Sequence, residues 1–427
     1  MPDELAFDDV QILKLESAAI LGHTCKVVVV EPDERGRPLE ADALRARISE
    51  RLEAVPRLRQ RVAMPARGNP RWERDAGFDL ANHVVDAGGA PLSDEALRRA
   101  VGGLMAERLD HERALWRLDL LSLTGGRVAV VGRIHHCMAD GVSAMRLLAG
   151  ILWDPPETAG GEEERAPAAK APAPAGARHA GLRTAARVPG TLRRELRPGK
   201  DSPLDRHIGS AREVAWTGAP LSELKRIEHA AGEGITVNDV VLATVAGALR
   251  TWIDGDGAPE SLRAQIPVSL HSREESSGEI GNRDSFLFVD LPLDEGDPAV
   301  RLRRINAETH ERKLDHDAET LYSFFHSLSH FKPLYREVTR LASGPREFAL
   351  SVSNVPGPRR PVTVLGRRVE RLASFAEPAD RHALRVAVVS LGGELAFGLC
   401  SDPDAVSGLD RLAVALDDSL AELKLLG

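Results

Sequence analysis

No run of about 18 consecutive apolar residues occurs in the chain, so the sequence offers no helix able to span a bilayer. Cysteine is scarce: Cys25, Cys137 and Cys400 are few, odd in number and far apart. They suggest neither a disulfide framework nor a zinc site, and they fit a reducing cytoplasm. Aromatic residues make up only 4% of the chain, too few for base-stacking platforms, and the formal net charge of -8 argues against a nucleic-acid partner. The first ten residues are acidic, where a secretory signal would be basic and then apolar. Several catalytic signatures are missing as well. There is no G-x-x-x-x-G-K phosphate loop, no dinucleotide fingerprint after a strand and no H-E-x-x-H helix. Ser143 lies in GVSAM, where Met145 stands in place of the second glycine of a nucleophile elbow. Cys137 adjoins His136, but neighbours on an extended chain face apart, which disfavours a Cys/His nucleophile pair.

The 427 residues are 43% hydrophobic and 28% charged, the balance of a globular protein with a large core and, by length, two or three domains. The most informative stretch is residues 127–153, RVAVVGRIHHCMADGVSAMRLLAGILW. Residues 128–134 are apolar and rich in β-branched side chains, which predicts a buried strand. Val142, Met145, Leu148 and Leu152 recur at helical spacing after a polar turn. Asp140 stands where a helix N-cap would stand, and Gly141 reads as a turn residue with backbone freedom. Alternation along the strand puts His136 on the face of Val130 and Ile134, and His135 on the other, so the pair does not converge on one metal ion. His135 reads as a hydrogen-bonded structural histidine. His136 sits on an apolar face that gives a polar ring little structural reason to be there, and its chemistry suits general-base work.

HHCMADG resembles the active-site motif H-H-x-x-x-D-G of the bacterial wax ester synthase/diacylglycerol acyltransferases. These belong to a coenzyme A-dependent superfamily that includes chloramphenicol acetyltransferase and peptide-synthetase condensation domains. Other stretches carry the resemblance along nearly the whole chain: His23 before the first strong strand, the W…FD…H pattern of Trp72, Phe78, Asp79 and His83, and Leu115-Trp116. The second half adds Asn238-Asp239, Pro267-Val268-Ser269, the glycine-asparagine turn at residues 281–283 and Asn354-Val355-Pro356-Gly357-Pro358. One departure is Ala114, where the family has the proline of P-L-W.

The resemblance implies an α/β (α+β) chloramphenicol-acetyltransferase-like fold of two lobes with a tunnel between them. The expected division is a first lobe at residues 1–154, an Ala/Pro/Arg-rich linker at 155–203 and a second lobe at 204–427. It implies direct transfer of a fatty acyl group from acyl-coenzyme A to diacylglycerol or a fatty alcohol, with His136 as base, no metal and no cofactor beyond the acyl-coenzyme A co-substrate. Asn238 is the first candidate for holding the oxyanion, with Ser269 and Asn354 behind it. Trp116, Asp239, Ser269 and Asn354 are candidate substrate contacts. Asp140 is expected to pair with an arginine, and Gly141 to let substrate pass close. Capping is the competing reading of Asp140 and of Asn238-Asp239. The basic residues from Arg178 to Lys200 suit an anionic lipid surface or, equally, a solvated linker face. The expected location is cytoplasmic, with peripheral contact at the inner membrane or lipid bodies. Two other functions remain open on sequence alone: a condensation-like or small-alcohol acyltransferase, and a non-catalytic lipid-body binding protein.

Overall fold

A computed structural model describes residues 3–65, 68–155, 201–253, 258–269, 284–314 and 347–426, with a few isolated positions near 190 and 320. Nearly all of the expected linker and the turn at 281–283 lie outside the described residues.

In chain order the elements are β1 (Asp3–Glu4), α1 (Phe7–Leu15), β2 (His23–Val30), α2 (Ala41–Arg51), β3 (Gln60–Ala63), β4 (Arg71–Arg74), β5 (Val84–Asp86), α3 (Asp94–Met105), β6 (Trp116–Ser122), β7 (Val128–His135) and α4 (Gly141–Leu152). The second half continues with β8 (Glu213–Pro220), α5 (Leu221–Ala231), α6 (Val237–Trp252), β9 (Ser261–Ser269), β10 (Asp284–Pro292), α7 (Pro298–Leu314), β11 (Leu350–Val355), β12 (Thr363–Val364), β13 (Arg367–Ala376), β14 (Leu384–Leu391), β15 (Glu394–Ser401) and α8 (Leu409–Lys424).

Two six-stranded sheets organise the molecule. The first has the order β12-β13-β2-β7-β6-β5, the second β10-β9-β11-β14-β15-β8, and β1-β4-β3 forms a small third sheet. The mixed fold of two sheet-rich lobes agrees with the expectation. The division of strands does not follow chain order, because β12 and β13 come from the second half and complete the first sheet. β13 runs antiparallel to β2, pairing Ser374 with Lys26 and Ala376 with Thr24.

Burial explains why β2 and β7 lie in the middle. Every residue of His23–Val30 and Val128–His135 is buried, so neither strand has a wet face. In the second sheet, Leu384, Val386 and Val388 of β14 pack with α6 and α8, while Val389 and Leu391 join the core of the first lobe. Alternation therefore turns the odd-numbered face of β14 toward the first lobe. β11 behaves alike, with Leu350 and Val352 in the second-lobe core and Val355 in the first. Pro56 changes one expected strand: Pro56–Arg59 is a 3-10 turn, and β3 begins only at Gln60.

The sheets come close together where β15 meets β13. A Cβ on Gly398 would run into the Ser374 carbonyl oxygen and lie 3.2 Å from the Phe375 ring. Gly103, in the last turn of α3, has open space around it. Gly398→Ala is therefore expected to destabilise the fold by about 1–3 kcal/mol through overpacking. Gly103→Ala is expected to stabilise it by about 0.5–1 kcal/mol through helix propensity. Chemical denaturation of the two variants in parallel checks the pair of signs.

Candidate active site

The strand β7 ends at His135, and the chain then turns sharply into α4. Met138 N donates to His135 O at 2.9 Å, closing the turn. Asp140 caps the helix: its Oδ1 accepts from Ser143 N at 2.7 Å, and the residue is wholly buried. Gly141 does not have a left-handed backbone, so freedom of φ is not its role. A Cβ there would lie 3.0 Å from Val355 Cγ2, in the N-V-P-G-P stretch of the second sheet. Gly141 is small because the two lobes meet at that point.

His135 is buried behind the turn. Its Nδ1 accepts a hydrogen bond from Cys137 N at 3.1 Å, so the neutral ring carries its proton on Nε2. That nitrogen stands 2.9 Å from Glu16 Oε1. The same carboxylate lies 3.2 Å from His111 Nε2 and is bonded by Arg108 Nη1. Glu16, His111 and His135 thus bring three ligand-type atoms within 4.8 Å of one another, a spacing that resembles a metal triad. The His135 tautomer opposes that reading, because a metal on Nε2 would put the ring proton on Nδ1, where Cys137 N–H already donates. Arg108 also already supplies positive charge to Glu16. Burial alone would raise the Glu16 pKa, yet hydrogen bonding to His111 and His135 brings it down to about 2.

His136 differs from its surroundings. Between Val128 and Asp140 it is the one residue that is only partly buried. Its backbone N donates to Gly22 O at 2.8 Å. Gly22 has φ +77°, and a Cβ there would strike the His135 ring, so only glycine serves at this position. Gly22 N and Leu21 N in turn donate to the Glu377 carboxylate at 2.7 and 2.9 Å. Glu377 also pairs with Arg212 at 2.8 Å. A buried carboxylate just past the end of β13 therefore fixes the loop that holds His136.

The imidazole of His136 is held at a pKa of about 4, first by burial, then by the guanidinium of Arg385, with His135 and Lys26 adding to the effect and Asp140 opposing it. It is a free base throughout the neutral range. Lys26, in the middle of a valine-rich strand, donates from Nζ to Ser374 Oγ at 2.6 Å, and burial brings its pKa down to about 8. Arg385 reaches from β14, its Nε donating to Glu377 O at 3.0 Å.

The other candidate residues are spread more widely. Trp116 is 2% exposed; its Nε1 donates to Leu58 O at 2.8 Å and its ring stacks on His83 with centroids 4.6 Å apart. It packs into the core of the first lobe. Asp239 completes a capping box with Thr236 and accepts from Thr309 Oγ1 at 2.6 Å, which ties α6 to α7. Thr236, not Asn238, is the cap; Asn238 is half-buried in the first turn of α6. Asn354 is exposed, on the face of β11 opposite Val355 and away from the first lobe. Ser269 ends β9, paired with Asp284, and its side chain lies outside the described residues. Sequence reasoning missed Lys26, Arg385 and Glu377. For the first two a signal exists: each is a lone cation in a strand of otherwise apolar residues, CKVVVV and LRVAVV.

Comparison with known proteins settles the family. Residues 5–197 match the wax ester synthase/diacylglycerol acyltransferase catalytic domain, and residues 280–424 match the C-terminal domain of the same proteins. The chain belongs to the wax ester synthase/diacylglycerol acyltransferase family. It is therefore an acyltransferase, of a kind that uses acyl-coenzyme A as a substrate. A relative from Mycobacterium tuberculosis H37Rv, named "probable diacylglycerol O-acyltransferase" tgs1, is 29% identical over 90% of this chain and 88% of its own length. A second from the same strain, tgs2, is 29% identical over 98% of both chains. Among solved structures, the wax ester synthase/diacylglycerol acyltransferase of Marinobacter aquaeolei VT8 superimposes with a TM-score of 0.74 at 24% identity over 99% of both chains. The first condensation domain of the CDA synthetase gives a TM-score of 0.64 at 17% identity, over 100% of this chain and 96% of that one. The fold is thus common to lipid acyltransferases and condensation domains.

The Glu16 cluster makes stability depend on acid. Its folded-state pKa, about 2, lies below the ordinary glutamate value, so its contribution is complete above about pH 4.5 and is lost as the pH falls toward 2. Glu16→Gln is expected to flatten the fall in stability across that window, read by denaturant midpoints at stepped pH.

Proposed function

We propose that the chain moves a long-chain fatty acyl group from acyl-coenzyme A to diacylglycerol, giving triacylglycerol, and to long-chain alcohols, giving wax esters. His136 is the general base. The observation that carries this reading is the state of its ring: open where its neighbours are sealed, facing charges from the second lobe, and unprotonated at neutral pH. A hydroxyl is a poor nucleophile because its own pKa is far above neutrality. His136 takes its proton as the oxygen attacks the thioester carbonyl, and returns that proton to the departing coenzyme A thiolate. No covalent acyl-enzyme is needed. His135, Asp140 and Gly141 act through the turn: His135 anchors its inner side, Asp140 caps the helix and Gly141 lets Val355 close against it. Both acceptors are water-insoluble, so this reading has the protein meeting them at a membrane or lipid-body surface.

Purified protein is expected to esterify diolein and hexadecanol with palmitoyl-coenzyme A. His136→Ala is expected to lower kcat by about 10²–10⁴-fold. The base works only unprotonated, so kcat/KM is expected to hold level from neutral pH downward and to fall with a midpoint near 4. An acid limb at the ordinary histidine value of about 6.5 would contradict the environment assigned to the ring.

A further inference from the structure

The reaction places negative charge on the thioester carbonyl oxygen, and the site has an unmatched positive charge to meet it. Arg385 lies on the odd-numbered face of β14, the face whose Val389 and Leu391 pack into the first lobe. Its antiparallel partner Cys400, on the same face, joins the core between the sheets. The Nε bond to Glu377 O fixes the root of the guanidinium at 3.0 Å. The Glu377 charge acts on it from nearby, but the carboxylate oxygens are bonded to Leu21 N, Gly22 N and Arg212 and make no hydrogen bond to its Nη groups. Neither Nη of Arg385 has a hydrogen-bond or ion-pair partner among the described residues.

A partly buried guanidinium whose Nη groups make no hydrogen bond is costly to keep, and it persists where a bound group supplies the acceptor. Around His136 the charged groups are Arg385 from β14, Lys26 from β2 and Asp140 from the turn, with His135 behind. Lys26 is already engaged by Ser374 and Thr24. Among the described residues, Arg385 is the group from the second lobe whose charge acts on His136.

We infer that Arg385 is a catalytic residue of this acyltransferase, its free Nη groups donating to the carbonyl oxygen of the acyl thioester as that oxygen becomes an oxyanion. The step balances. The acceptor oxygen bonds to the carbonyl carbon, its proton passes to His136, and the carbonyl π pair moves onto the oxygen facing Arg385. When the C=O bond re-forms, the C–S bond breaks and the sulfur takes the proton from His136. The same cation disfavours a second positive charge on His136 before substrate arrives, so base and oxyanion partner are set by one side chain. This rests on the general-base reading of His136.

The test uses full-length wild type, Arg385→Gln, Arg385→Lys and His136→Ala with palmitoyl-coenzyme A and diolein. Arg385→Gln is expected to lower kcat by about 10²–10³-fold, as loss of an oxyanion donor does, with KM for both substrates little changed. The acid limb of its kcat/KM profile should move up from near 4 toward the ordinary histidine value, because the nearest cation is gone. Arg385→Lys, which keeps the charge, should recover at least about tenfold of the lost kcat. An unchanged kcat in folded Arg385→Gln, with His136→Ala inactive, overturns the role of Arg385 and leaves the base in place. A raised KM with unchanged kcat also overturns it, since the guanidinium would then only hold substrate. Should Arg385→Gln fail to fold, Arg385→Lys decides alone: a kcat lowered by up to about 10²-fold with KM and acid limb unchanged supports the guanidinium as oxyanion donor, whereas wild-type kcat, or a raised KM alone, overturns it. Activity in His136→Ala equal to wild type would remove the general-base reading and this inference together.

Discussion

One buried carboxylate holds the centre of this molecule together. Glu377, just past the end of β13, receives two backbone N–H groups of the loop before β2 and the guanidinium of Arg212 before β8. Its carbonyl receives Arg385. Gly22, tied down by that carboxylate, offers its own carbonyl to His136 N. Three parts of the chain that are far apart in sequence are thereby fixed to one another within two bonds of the imidazole. Hydrogen bonds to an ionised group are the stronger kind, and here they are spent on orientation rather than on exposed surface. His136 owes its place to this arrangement as much as to the strand that carries it.

The electrostatics follow from the same construction. Each sheet brings a cation to the junction, buried Lys26 from one and partly buried Arg385 from the other, and Asp140 opposes their effect on His136. A site of this polarity keeps an imidazole unprotonated and favours negative charge nearby. Both tendencies suit attack of an alcohol on a thioester. On the far side of the turn the polarity reverses: Glu16 collects His111, His135 and Arg108. The two adjacent histidines therefore sit in opposite environments, one held against an acid and the other facing cations.

Much of this was legible in the sequence. The strand-turn-helix of residues 127–153, the cap at Asp140 and the separate fates of His135 and His136 follow from period and residue type alone. The hairpin around Gly392-Gly393 follows from its turn residues. What escaped was long-range. Trp116 reads like a site residue by motif, but its indole N–H is used by Leu58 and its ring by His83. Asn354 has the right motif and the wrong face of its strand. Arg385 and Lys26 have no motif, and their meaning depends on which face of a sheet meets which partner. β13, RRVERLASFA, gave no clear strand signal, because it is charged at one end and small at the other. No local pattern states that it pairs with residues more than 300 positions earlier, such as Ala376 with Thr24.

That pairing has a consequence for how the protein is made. Until residues 367–376 leave the ribosome, β2 has its partner on one side only, and its other edge, CKVVVV, is a bare and strongly apolar strand. A chain synthesised from its amino terminus thus spends most of its translation with an unfinished sheet, the kind of edge that recruits other strands. The two halves cannot mature one after the other as beads on a string. The last third of the polypeptide closes the first lobe, and any truncation before β13 leaves that edge open for good.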